Sequence, residues 1–148
     1  MSASSDEEIN RLATEIQLLE ATLNVIKSRL DMTDATLSES QMALETLKAL
    51  ESAKEGDNIL VPIGAGSYIF AKVESISKVV VGVGANVCVE KSIKESIDMI
   101  SERISRLEQI KSSLQQQLVQ ASQKLEESRG NLERLIRIRE AGGSARKS

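Results

Sequence analysis

Apolar side chains recur along the first third of the chain at intervals of three and four residues: Ile9, Leu12, Ile16, Leu19, Leu23, Ile26 and Leu30. The series continues through Thr33, Leu37, Ser40, Leu44 and Leu47, so that ten of its twelve positions are Leu or Ile. A 3.5-residue period of this kind is the a/d seam of a coiled coil. It predicts a helix over residues 6–54, with Ser5 or Asp6 as N-cap, acidic residues at the positive end of the dipole and Gly56 as the stop. A second seam follows "SIKE", where Ser92 and Glu95 have capping-box spacing. It reads Ile93, Ile97, Ile100, Ile104, Leu107, Lys111, Leu114, Leu118, Ala121, Leu125, Ser128, Leu132, Leu135 and Arg139, and predicts a helix over 92–140. The closing "AGGSARKS", residues 141–148, lacks large apolar residues and is read as a disordered tail.

Each helix is about 48 residues, roughly 70 Å at the α-helical rise. A seam of that length needs a partner seam, and the nearest one is the other helix, folded back antiparallel. Joining the inner ends near Lys54 and Ser92 makes facing residue numbers sum to about 146. That register sets Thr33 near Lys111 and Leu114, so the polar interruptions of the two seams meet, which costs stability but fixes register. Two separate chains could pair in a similar way.

Between the helices, residues 58–91 change character. The stretch "ILVPIGAGSYIFAKVESISKVVVGVGANVCVE" is rich in Val and Ile, poor in charge and punctuated by Gly, Ser and Asn. It predicts four short strands at about 59–63, 67–73, 77–83 and 86–90. "VVVGVGANVCV" is apolar on both alternating faces, which predicts burial on both sides. Two hairpins cannot supply that burial alone, and unpaired strand edges invite association. The segment is therefore read as an assembly interface built on Ile59, Val61, Ile63, Ile69, Val79, Val81, Val83, Val87 and Val89, and the chain as an oligomer subunit.

Composition narrows the function. Aromatic residues make up 1% of the 148 positions, and there is no Trp and no His, so the commonest general base and metal ligand is missing. No catalytic or metal-binding residue is assigned. A single cysteine, Cys88 between Val87 and Val89, excludes an internal disulfide and is read as a small buried apolar residue. A formal charge of −3 gives no basic surface for nucleic acid. "MSASSDEEIN" lacks the features of a signal peptide, and no apolar run approaches the roughly 18 residues that span a membrane. A soluble, cytoplasmic protein is the expectation. Gly64-Ala65-Gly66 has the opening spacing of a phosphate loop, but the third glycine of Gly-x-Gly-x-x-Gly is missing and a strand follows, not a helix. Gly82-Val83-Gly84 fails in the same way. Gly64, Gly66, Gly82 and Gly84 are read as turn glycines or as relief of strand crowding, and no cofactor is expected.

Two heptad helices around "NILVPIGAGSYIFAKV…KVVVGVGANVCVEKS" resemble the prefoldin α class, the archaeal-type molecular chaperone subunit. The most specific part is "LVPIGAGSYI", Leu60 to Ile69, followed at the right distance by "VGVG" and "VEKS". The two-hairpin centre resembles the α class, whereas the β class has one hairpin. One departure is visible: the α pattern has Gly-x-Gly-aromatic where this chain has Gly84-Ala85-Asn86-Val87. Asn tolerates the left-handed region, so the turn survives. The resemblance implies an α+β fold in which a long antiparallel two-helix coiled coil carries two central hairpins that form an oligomeric β-barrel. It further implies a hexamer of two α and four prefoldin β subunits, an ATP-independent holdase. Unfolded polypeptides would be bound at the coil tips and delivered to a group II chaperonin.

The free tip in the antiparallel register holds Ile9 and Leu12 against Leu132 and Leu135, with Ile136 and Ile138 off the seam. Surplus apolar surface at a coil end suits a binder of non-native chains; a wider last heptad or a neighbouring coil would use the same residues. Arg134, Arg137 and Arg139 lie among them and either steer acidic clients or keep the tip soluble. The competing readings are a structural spacer or filament-forming paralogue without client transfer and, more remotely, a nucleotide-using enzyme.

Overall fold

The computed structural model describes residues 2–147, with side chains from residue 4 to residue 143. Helix α1 (Ser2–Glu51) is followed by strands β1 (Asn58–Gly64), β2 (Ser67–Lys72), β3 (Val79–Gly84) and β4 (Val87–Lys91), then helix α2 (Ile93–Lys147). The chain divides into two compact units.

The coil unit takes α1 up to Asp34 and α2 from Gln109 onward. Its core is Ile16, Leu23 and Leu125, with Leu19, Leu118, Ala121 and Leu132 packed against it. All seven lie on the two heptad seams, so the a/d pattern is what closes this unit. Cross-helix ion pairs fix its register: Lys111 Nζ lies 2.7 Å from Asp34 Oδ1, and Arg129 Nη2 lies 2.6 Å from Glu20 Oε1. Arg139 Nη1 lies 3.1 Å from Asp6 Oδ1. These pairs fall within a few residues of the antiparallel register read from the seams. The polar layer is there too. Thr33 is buried and donates its hydroxyl to the Arg29 carbonyl at 2.7 Å, while Lys111 leaves the seam to reach Asp34.

The hairpin unit spans Ala35–Glu108. Leu37, Leu47, Val73, Val81, Ile93 and Ile100 are buried in it. Ser92 caps α2 by accepting the Glu95 N–H on its Oγ at 3.1 Å, the half of the capping box that the side chain at Ser92 supplies. Ser96 is fully buried and donates to the Ser92 carbonyl at 2.8 Å, which closes the first turn a second time. β1 pairs with β2 and β3 with β4, both antiparallel, as two separate two-stranded sheets. Neither sheet closes within the chain.

Four details differ from the sequence expectations. α1 begins at Ser2, so its first turn contains no acidic residue and neither Ser5 nor Asp6 is the cap. It ends at Glu51 instead of 54. Lys54 and Asp57 form a local turn, with Asp57 Oδ2 accepting the Lys54 N–H at 2.8 Å and Lys54 O accepting the Asp57 N–H at 3.0 Å. α2 runs past 140 to Lys147, where a disordered tail was expected; Gly142 and Gly143 keep ordinary φ and carry the helix on. Residue 148 of that expected tail lies outside the described residues. Cys88 is exposed on β4, not buried.

Candidate functional site: hairpin faces and coil surface

Both hairpins turn through the same device. Ala65 (φ 52°) and Gly66 (φ 70°) link β1 to β2; Ala85 (φ 51°) and Asn86 (φ 60°) link β3 to β4. Positive φ at both central residues is the requirement of a type I′ turn, whose twist matches the strands it joins. Each turn follows a register shift, between Pro62 and Gly64 and between Gly82 and Gly84, and Gly64 and Gly84 also have positive φ. So the Gly-Ala-Gly stretch is a hairpin turn followed by a strand. Gly82 departs from the turn-glycine expectation. It sits inside β3 opposite Cys88 with ordinary φ, and its carbonyl accepts a 3.0 Å hydrogen bond from Arg103 Nη2 on α2.

That bond distinguishes the hairpins. Arg103 ties β3 to α2, and in this hairpin Val81 is buried and Val79 and Val89 are half-buried within the single chain. Of the anticipated interface residues in this hairpin, Val83 and Val87 stay exposed. In the first hairpin the pairing Ile59↔Ala71 and Val61↔Ile69 puts these four on one face. Val61 is half-buried there, while Ile59, Ile69 and the shifted Ile63 are exposed. The opposite face carries Leu60↔Phe70 and Pro62↔Tyr68. Phe70 is 88% exposed, the extreme among the exposed large hydrophobic residues, and Leu60 and Tyr68 are beyond half. Together with Val80, exposed on β3, these are the residues that sequence reasoning missed. The signal was available: Phe70 and Tyr68 are the chain's only Phe and its only Tyr.

In the coil unit, Ile9, Leu12, Leu132 and Leu135 are half-buried, whereas Ile136 and Ile138 are exposed. Leu132 belongs to the packing around the core cluster. The anticipated tip group therefore splits into four seam residues and two outward ones. Among the arginines there, Arg139 pairs with Asp6 and Arg137 pairs with Glu133 on its own helix. Among the described residues no group of His, Cys, Asp and Glu could hold a metal, and no helix is long and apolar enough to cross a membrane.

Two long helices around a pair of hairpins, with apolar strand faces uncovered in the single chain, define a coiled-coil subunit of an assembly. The Prefoldin subunit family profile matches residues 19–137, and the chain belongs to that family. It is 31% identical over 144 residues to the prefoldin subunit alpha of Nitrosopumilus maritimus, covering 97% of this chain and 99% of that one. Among solved structures, the filamentous prefoldin of Methanocaldococcus jannaschii superposes with a TM-score of 0.64 at 29% identity, over 82% of this chain and 98% of that one. The prefoldin beta subunit of Thermococcus strain KS-1 gives 0.57 at 15% identity, over 87% and 92%, and so shares the fold.

Proposed function

We propose that this chain is the α-class subunit of a cytoplasmic, ATP-independent holdase. In this reading the hairpins join those of β-class subunits in a closed barrel, two α with four β. The coil ends hold non-native polypeptide and pass it to a group II chaperonin. Membership of the prefoldin family supports the chaperone role. The observation that carries the reading is the uncovered apolar face of the first hairpin, with Phe70 88% exposed. An apolar face of that kind on a two-stranded sheet is stable only when another surface covers it. At the coil end, Ile136 and Ile138 supply apolar surface for clients, alongside the half-buried Ile9, Leu12, Leu132 and Leu135. Several such ends acting together give a retention that one weak contact cannot.

The test is the mass of the complex formed with a β-class subunit, by light scattering, alongside suppression of client aggregation without ATP. A defined heterohexamer that holds clients is expected; a chain that stays monomeric beside its partner, or an assembly that fails to hold, overturns the reading. Likeness to a filamentous prefoldin favours a second reading, a self-assembling filament subunit without client transfer. Open-ended growth of this chain alone would select it.

A further inference from the structure

A second apolar stripe runs along α1, outside the seam. Leu18, Val25 and Met32 are spaced by seven residues and are 67%, 51% and 67% exposed. Ala21 and Ser28 fall between them at the alternating positions, so the stripe repeats the a/d spacing of the buried seam two residues further on. Isolated exposed apolar residues are ordinary on a protein surface. Three in heptad register are not isolated, and the spacing is that of a helix lying alongside, not of an extended strand. Small residues at the intervening positions let such a helix approach closely.

Leu18, Ala21 and Val25 of the stripe line a groove in the coil unit. Thr22 and the buried Ile26 also line it, together with Gln117 of α2. Ile110, one heptad before Gln117 on α2, is also exposed. A single charged side chain, Arg29, lines the groove. The acidic residues Asp6, Glu15, Glu20 and Asp34 of α1 each pair with a base on α2, whereas Arg29 enters no ion pair among the described residues. The groove thus combines the apolar lining from α1 with one cation, Arg29, which is complementary to an amphipathic helix carrying a carboxylate beside its apolar stripe. From Leu18 to Met32 the contact is about 21 Å long, four turns of such a helix.

We propose that this groove docks acidic amphipathic helical segments of non-native polypeptides, as a second client surface along the shaft of the coil. The inference rests on the holdase reading and names a substrate class for it. Partly folded chains retain fluctuating helices whose apolar stripes are uncovered. The groove would select those helices, while the coil end takes apolar chain irrespective of conformation.

The test uses the full-length chain and two fluorescent probe peptides of about 18 residues with leucines in heptad register, one bearing glutamates beside the leucines and the other lysines. Fluorescence anisotropy reads binding, and circular dichroism checks that each variant keeps its helix. The unsubstituted chain is expected to prefer the glutamate probe. Leu18→Ser with Val25→Ser should weaken it about tenfold. Arg29→Glu should weaken it about threefold and shift preference to the lysine probe, an exchange that a merely structural role for Arg29 would not produce. Affinities unchanged by both variants, or no binding to the unsubstituted chain, would overturn the proposal. So would groove variants that alter the mass of the complex with a β-class subunit, because a neighbouring coil would then occupy the groove. Aggregation suppression is measured separately with Ile136→Ser/Ile138→Ser, so failure of the holdase reading is distinguishable from failure of the groove.

Discussion

Two alanines carry backbone strain that their sequence context does not require. Ala65 and Ala85 each open a hairpin turn at positive φ, 52° and 51°, where a Cβ meets the following carbonyl. An L-residue other than Gly, Asn or Asp loses about 1–2 kcal/mol in that region. Asn86 holds φ 60° at the position where the first hairpin uses Gly66, which is why the departure from the Gly-x-Gly pattern leaves the turn intact. Ala85→Asn is therefore expected to stabilise the hairpin unit by about 0.5–1 kcal/mol, and Asn86→Val to destabilise it by about 1–2 kcal/mol. Chemical denaturation of the full chain measures both; a neutral Asn86→Val would mean the turn is not formed as described. The turn residues themselves were readable from sequence as punctuation. Gly82 was not separable from Gly84 by pattern alone, because the positive φ of Gly84 and the hydrogen bond from Arg103 to the Gly82 carbonyl are what set their roles apart.

At the scale of elements, helices and strands differed in how much the sequence disclosed. The seams define the coil unit because each buried position there, including Thr33 and Ser128, sits at the a/d spacing. The helix ends were less legible. A run of mixed polar residues is compatible with helix wherever nothing competes, and Ser2–Ser5 and Gly142–Gly143 are such cases. For the strands, period-2 alternation identified β1 to β4 but could not choose between two apolar faces, and that choice decides which residues a partner meets. Arg103 provides the asymmetry by tying β3 to α2. Arg103→Ala removes one exposed charge-assisted bond worth about 1 kcal/mol, so amide exchange in β3 and β4 should quicken about fivefold while β1 and β2 keep their rates. Equal acceleration in both hairpins would show that the tether is not local. In the coil unit, Lys111→Leu fills a seam position and gives up the contact with Asp34. Melting should rise by the equivalent of about 1–2 kcal/mol, while spin-label distances across the coil should broaden as the register loses its polar layer; a drop in stability would argue against Lys111 as a register element.

For the whole molecule, the proposed division between assembly and client holding rests on which apolar surface is left over after folding. The first hairpin leaves Leu60, Tyr68 and Phe70 uncovered, and the end of α2 leaves Ile136 and Ile138. Neither set belongs to the chain's buried core, so substitution there tests the proposed assembly and holding roles apart from folding. Leu132 and Leu135 are different: they are half-buried in the coil unit, and Leu132 packs on its core cluster, so polar residues at those positions would loosen the coil along with any client contact. Leu60→Ser with Phe70→Ser should keep the helical circular dichroism signal but lower the mass of the complex with a β-class subunit. Burial of a Phe or Leu contributes roughly 1.5–3 kcal/mol each, so the two changes should weaken association by two orders of magnitude or more. Ile136→Ser with Ile138→Ser should do the reverse, leaving the mass unchanged and raising the amount of complex needed to suppress client aggregation about three- to tenfold, the range expected when part of a weak, repeated contact is removed. If the hairpin pair abolished holding without changing mass, or the α2 pair changed mass without affecting holding, the two surfaces would have to exchange roles.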